Sequence, residues 1–124
     1  LIDYGRAEPG LGDTLQAVSG HRKVDPLERP GEVDLTVHAD FPAVLAAARR
    51  EGVETRGPAG QGDFLRALGL EERARALSLA KPESGDRIRR QVERLAGSGQ
   101  MGDLFLVVAL HSPGLRPPGF GDPP

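Results

Sequence analysis

Cysteine and tryptophan are absent from this 124-residue chain, tyrosine occurs once, and aromatic residues make up only 4% of it. Without cysteine there is no disulfide, no thiolate metal site and no cysteine nucleophile, a composition that fits a reducing compartment. So few aromatics leave no platform for stacking the bases of a single-stranded nucleic acid. Neither sign of charge is in excess: 16 Lys and Arg face 18 Asp and Glu, for a formal net charge of −2. The broad basic field that non-specific nucleic-acid binding requires is therefore missing. The longest apolar run, Leu104 to Leu110, is far shorter than the roughly 18 residues needed to span a bilayer. The opening LIDYG has neither the basic start nor the apolar stretch of a signal peptide. Together these absences predict a soluble interior protein with no nucleic-acid and no membrane partner.

What is abundant is glycine and proline, with 17 and 11 residues respectively, so much of the chain must be turns and connections. Leu, Ile, Val and Phe still supply a quarter of the sequence, enough for a packed core. The length suits one domain, expected over residues 1–112 with a Pro/Gly-rich tail at 113–124 that frays. Leu1-Ile2-Asp3-Tyr4-Gly5 reads as the end of a buried strand entering a turn, so the chain is expected to begin mid-fold.

Local patterns then set the order of elements. Thr14 to Val18 alternates with a period of two, as a half-buried strand does. His21 to Leu27 is expected to be irregular, because Pro26 pushes Asp25 out of the helical region. Leu35 to Asp40 alternates again and would place Thr36, His38 and Asp40 on one strand face. Asp40 also reads as an N-cap for a helix whose Phe41, Val44, Leu45 and Ala48 repeat at i, i+3, i+4 and i+7, with Gly52 beyond its end. A strand over Val53–Gly57, a loop over 58–62, a helix capped by Asp63 and interrupted near Gly69, and a further helix ending at Gly97 follow. Leu104 to Leu110 is expected to be a central strand covered on both faces. The alternation of strands and helices belongs to the α/β class.

Several constellations could carry chemistry. His21, His38 and His111 lack the spacing that would set two imidazoles on one metal, so no metal is expected. His38 with Thr36 and Asp40 could supply acid–base chemistry, or could form a hydrogen-bonded polar edge in which Asp40 serves only as a cap. Gly10-Leu11-Gly12 and the stretch from Gly57 to Gly62 match no phosphate-binding pattern and read as turns. The arginines from Arg87 to Arg94 read as the solvated face of a helix. Asp3-Tyr4-Gly5 is more informative, since it would set a carboxylate and a phenol at the carboxyl end of a strand, where open α/β sheets bind ligands.

Four stretches, taken in order, resemble a known family. They are IDYG at 2–5, GDTLQAVSGHRKVDPLERPGEVDLTVHADF at 12–41, GPAGQGDFLRALGL at 57–70 and QMGDLF at 100–105. The family is that of the MidA-like class I S-adenosylmethionine-dependent methyltransferases, whose mitochondrial member is an arginine methyltransferase and an assembly factor of respiratory complex I. The resemblance implies the C-terminal part of a class I, Rossmann-like sheet. IDYG would end its fifth strand, an irregular insertion at about 6–40 would face the substrate, and Leu104 to Leu110 would be the antiparallel member of a closing hairpin.

The glycine-rich loop and the acidic residue that hold S-adenosylmethionine in that family have no counterpart here. The chain alone is accordingly expected neither to bind the cofactor nor to be active. The implied activity is methyl transfer to a protein side chain, with arginine suggested by the mitochondrial relative. Asp3, Asp25 and Asp40 are suited to orienting a guanidinium, Tyr4 and His21 to adding hydrogen bonds, and His38 to accepting a proton. A bacterial protein of this kind would be cytoplasmic, and a eukaryotic one would lie in the mitochondrial matrix. The rival expectation is a non-catalytic assembly module in which residues 21–41 bind a partner protein.

Overall fold

The computed structural model of the chain describes residues 1–10 and 12–121. A mixed sheet forms its centre, built from β1 (Ile2–Arg6), β5 (Ala39–Asp40), β6 (Glu54–Gly60) and β7 (Phe105–His111) in the order β5-β1-β7-β6. β7 runs antiparallel to both neighbours, while β1 and β5 are parallel. Its successive residues Val107 and Val108 are only 2% and 1% exposed. Consecutive strand residues point to opposite faces, so this strand is central and covered on both sides, as its composition predicts.

On one face lies α1 (Phe41–Arg50), and Phe41, Leu45 and Val108 form the core with Ala39 and Leu106 packed against them. The Asp40 carboxylate accepts the Ala43 N–H at 3.0 Å and so caps α1. Gly52 follows the helix at φ +76°, a left-handed conformation that suits glycine. α2 (Gln61–Ala67) and α3 (Leu70–Ala80) are separated at Gly69, and α4 (Gly85–Ala96) ends at Gly97. A one-turn helix, α5 (Met101–Leu104), then feeds β7. Among the described residues, no helix is long and apolar enough to cross a membrane.

The region expected to be an irregular insertion contains a second sheet of three short strands. These are β2 (Gln16–Ser19), β3 (Arg22–Val24) and β4 (Asp34–Thr36), in the order β3-β2-β4. β2 and β3 form a hairpin whose two turn residues, Gly20 and His21, have φ of +55° and +62°. Positive φ at both central residues is what a type I′ hairpin turn demands. Histidine tolerates it better than most residues other than glycine, but Gly-His is not among the pairs that mark such a turn.

Three other expectations are corrected. The alternating run from Leu35 to Asp40 is not one strand: it breaks at Val37-His38, sending β4 to the small sheet and β5 to the main one. The stretch 58–60 continues β6 rather than forming a loop, because Pro58 sits at a register shift on an edge strand where no N–H is needed. α2 therefore begins at Gln61, with Gly60 as its N-cap and Asp63 inside its first turn. The tail also packs as far as Phe120, whose ring centroid lies 5.2 Å from that of Phe64. Residues 122–124 of that tail lie outside the described residues.

The end of α4 is held by α2 and α5. Gln61 Nε2 donates to Leu95 O at 2.8 Å and Arg66 Nη2 to Ala96 O at 2.6 Å. Both satisfy carbonyls that a helix leaves open at its C-terminus. Gly62 permits this approach, since a Cβ there would lie 2.6 Å from Ala96 O and 3.3 Å from Gly102 Cα. Gly62→Ala should cost about 1–3 kcal/mol through overpacking. Gly85→Ala, in open space at φ −54°, should instead raise stability by about 0.4–1 kcal/mol. Chemical denaturation of the two variants beside the wild type checks both signs.

Candidate functional site

β1 brings Tyr4 to its carboxyl end, and the register Tyr4↔Phe105 sets the phenol against the start of β7. The two rings tilt at 53° with centroids 4.6 Å apart, a geometry aromatic pairs favour. Gly5 follows, with no room for a side chain: a Cβ would lie 2.8 Å from the Phe41 ring. β1 therefore runs directly onto β5 and the start of α1.

Facing Tyr4 is one side of the small sheet. The pairs Gln16↔Thr36 and Val18↔Lys23 place these four side chains on the same face. Between the two sheets opens a cleft of about 720 Å³, lined by those residues together with Tyr4, His38 and Asp103. His38 is positioned by its backbone, whose N–H donates to Thr14 Oγ1 at 3.2 Å. Asp103 belongs to α5, and its Oδ2 accepts both Ser98 Oγ–H at 2.7 Å and Gly99 N–H at 2.9 Å. These two bonds hold the Asp103 carboxyl below the ordinary aspartate range, so it stays ionised at neutral pH.

Of the residues proposed from sequence, Tyr4 and His38 meet in this cleft. Asp3 stands beside it, with Oδ1 accepting the Tyr4 N–H at 2.8 Å. Asp40 is committed elsewhere: Oδ2 takes Arg6 Nη2–H at 2.6 Å, and Oδ1 caps α1. Arg6 also donates to Gly10 O. His21 lies in the β2–β3 turn, and Asp25 accepts the Leu27 N–H at 2.8 Å in a local turn. The expected face of Thr36, His38 and Asp40 is thus divided between two sheets. Lys23 and Asp103 are the charged residues that sequence reasoning missed. Cross-strand register and the α5 turn, neither legible in local periodicity, bring them to the cleft.

An antiparallel strand seated between two mutually parallel ones, with helices packed on the sheet, is the mixed α/β arrangement that the resemblance implies for the closing part of a class I methyltransferase sheet. A family model described as "Putative S-adenosyl-L-methionine-dependent methyltransferase" matches residues 1–59. The mitochondrial protein arginine methyltransferase NDUFAF7 homolog of Drosophila melanogaster is 38% identical over 112 residues, covering 89% of this chain and 25% of that protein. A native crystal structure from Burkholderia thailandensis superposes with a TM-score of 0.81 at 26% identity, over 98% of this chain and 33% of that one. Another from the same organism, bound to S-adenosyl-homocysteine, gives 0.77 at 26% identity, over 98% and 32% of the two chains. Over the part that it spans, the chain is similar to these S-adenosylmethionine-dependent methyltransferases. It spans about a quarter of the length of the curated relatives it matches.

Asp40 and the start of α1 do not fit the cofactor of such enzymes. Ribose hydroxyls call for a free acidic acceptor, and the pyrophosphate-free cofactor still needs a glycine-rich strand-to-helix turn against its methionine part. Here the helix following β5 is closed by its own Asp40 cap, and the other oxygen of Asp40 is taken by Arg6. Among the described residues there is also no group of three His, Asp or Glu that could hold a metal.

The Arg6 guanidinium and the Ala43 N–H hold the Asp40 carboxyl below its ordinary range. A depressed folded pKa means that the stabilisation is complete above the ordinary value of about 3.9 and disappears as pH falls through the lowered one. Denaturation midpoints followed from neutral pH into that acid range should fall less steeply in Asp40→Asn than in the wild type. Parallel curves would contradict the role given to the pair.

Proposed function

We propose that the chain forms the acceptor side of a protein arginine methyltransferase that uses S-adenosylmethionine held by residues other than these. The observation that carries this reading is the cleft itself. It lies at the carboxyl end of β1, where open α/β sheets receive ligands, and combines an aromatic floor, an imidazole and an ionised carboxylate. The name of the Drosophila relative supplies arginine as the acceptor. Exposed Leu27, Leu35 and Val37 on and around the small sheet suit a protein substrate better than a small polar one.

In this reading the chain's residues orient the acceptor and exclude water from one side of it. Tyr4 gives the guanidinium a flat surface. His38 receives the proton that the acceptor nitrogen loses. His21 and Asp25, outside the cleft lining, shape the loop ends of the small sheet instead.

The complete gene product, given methyl-labelled S-adenosylmethionine and arginine peptides, should place label on arginine. His38→Ala should slow transfer about a hundredfold with thermal unfolding unchanged, and Tyr4→Ala, which also gives up its ring contact with Phe105, roughly tenfold. Wild-type rates in both variants would remove these roles, and label on another residue type would remove the acceptor assignment. Residues 1–124 by themselves should give no measurable heat with S-adenosylmethionine in calorimetry. Binding at about micromolar Kd, equivalent to roughly −8 kcal/mol, would show that this segment holds the cofactor after all.

A further inference from the structure

We infer that Asp103 is the carboxylate that binds the acceptor, receiving a planar cationic side chain laid against the Tyr4 ring. The inference rests on the reading of the cleft as the acceptor side of an arginine methyltransferase, and it names a residue and a binding mode which that reading leaves open.

Four carboxylates near this end of the fold could meet a guanidinium, and their hydrogen bonds separate them. Asp40 has both oxygens occupied, one by Arg6 and one by Ala43. Asp25 is folded onto Leu27, away from the cleft lining. Asp3 closes on the N–H of Tyr4 and does not line the cleft. Asp103 does line it, and both of its donors, Ser98 and Gly99, converge on Oδ2. Oδ1 therefore keeps its capacity to accept. Arg66, whose charge also acts on Asp103, is itself drawn to Ala96 O, Asp63 and Glu71.

Position adds to this. Asp103 is two residues before Phe105, the partner of Tyr4 in both register and ring contact. Carboxylate and aromatic face are thus carried by adjoining pieces of the same wall, joined through the α5–β7 junction. A guanidinium can use both at once, giving N–H bonds to the carboxylate in its plane and its face to the ring. A lysine ammonium lacks that planar face. Lys23, on the opposite wall, adds a like charge that weakens any cation approaching from the small sheet.

The test is titration of the complete gene product with a glycine-flanked single-arginine peptide and with its citrulline counterpart, followed by NMR shifts of the cleft residues. The arginine peptide should bind at least about tenfold more tightly than the citrulline one, because a charge-assisted hydrogen bond is lost in the latter. Asp103→Asn keeps an oxygen for Ser98 and Gly99 and should erase that preference. Lys23→Ala should strengthen arginine binding about two- to fivefold, by removal of an exposed like charge. Equal affinities for the two peptides, or an arginine preference that survives in Asp103→Asn, would overturn the inference. Should Asp103→Asn fail to fold, the wild-type titration still decides, because an arginine peptide that binds without shifting the Asp103 side-chain carboxyl resonance overturns the inference. The two ideas fail separately: Asp103-dependent arginine binding without any methyl transfer removes the proposed enzyme activity alone, whereas normal arginine methylation by Asp103→Asn removes this inference alone.

Discussion

The main sheet and the helices on it lean on β7. A seven-residue strand flanked by β1 and β6 has its backbone groups paired along both edges, and Val107 and Val108 send side chains into opposite layers. Burial of both faces is what makes the run Leu104–Leu110 so uniformly apolar, in contrast to the alternation of a half-exposed strand. From that strand follow the placement of α1 on one layer and the antiparallel register that sets Tyr4 beside Phe105. Few side chains besides these are fully buried, so the core is small and concentrated. Ile2, 49% exposed, marks the outer edge of β1, which β5 pairs only at Gly5 and Arg6.

Much of this was legible in the residues because local chemistry decided it. Asp40 followed by Phe41-Pro42 specifies a helix start, Gly52 a helix end, Gly69 a break, and the Leu104–Leu110 run a covered strand. In each case the side chain or its absence acts on its immediate neighbours. The family resemblance added what periodicity could not, that IDYG and the final strand belong to one sheet. The structures related to this chain agree with that arrangement.

What stayed hidden was non-local. The small sheet depends on a histidine tolerating positive φ in a two-residue turn, and the split of Leu35–Asp40 depends on two different partners competing for one alternating run. Asp40 looked like a site residue and a cap at once. Its cap is present, and the pairing with Arg6 across 34 positions uses the rest of its capacity. Asp103 gave no signal because the cleft that it lines is assembled from residues distant in sequence.

The two walls of the cleft differ in what they rest upon. Tyr4 and Asp103 are fastened to β1 and to the junction entering β7, so moving them means disturbing the core. Gln16, Lys23 and Thr36 stand on short strands of a separate sheet, whose opposite face buries Ala17 but leaves Leu35 exposed. Substitutions on that second wall can change the size or charge of what enters while leaving folding almost untouched. Such a division lets a lineage vary the lining of one wall while the other stays fixed, with variation confined to the side of the cleft that the fold can spare.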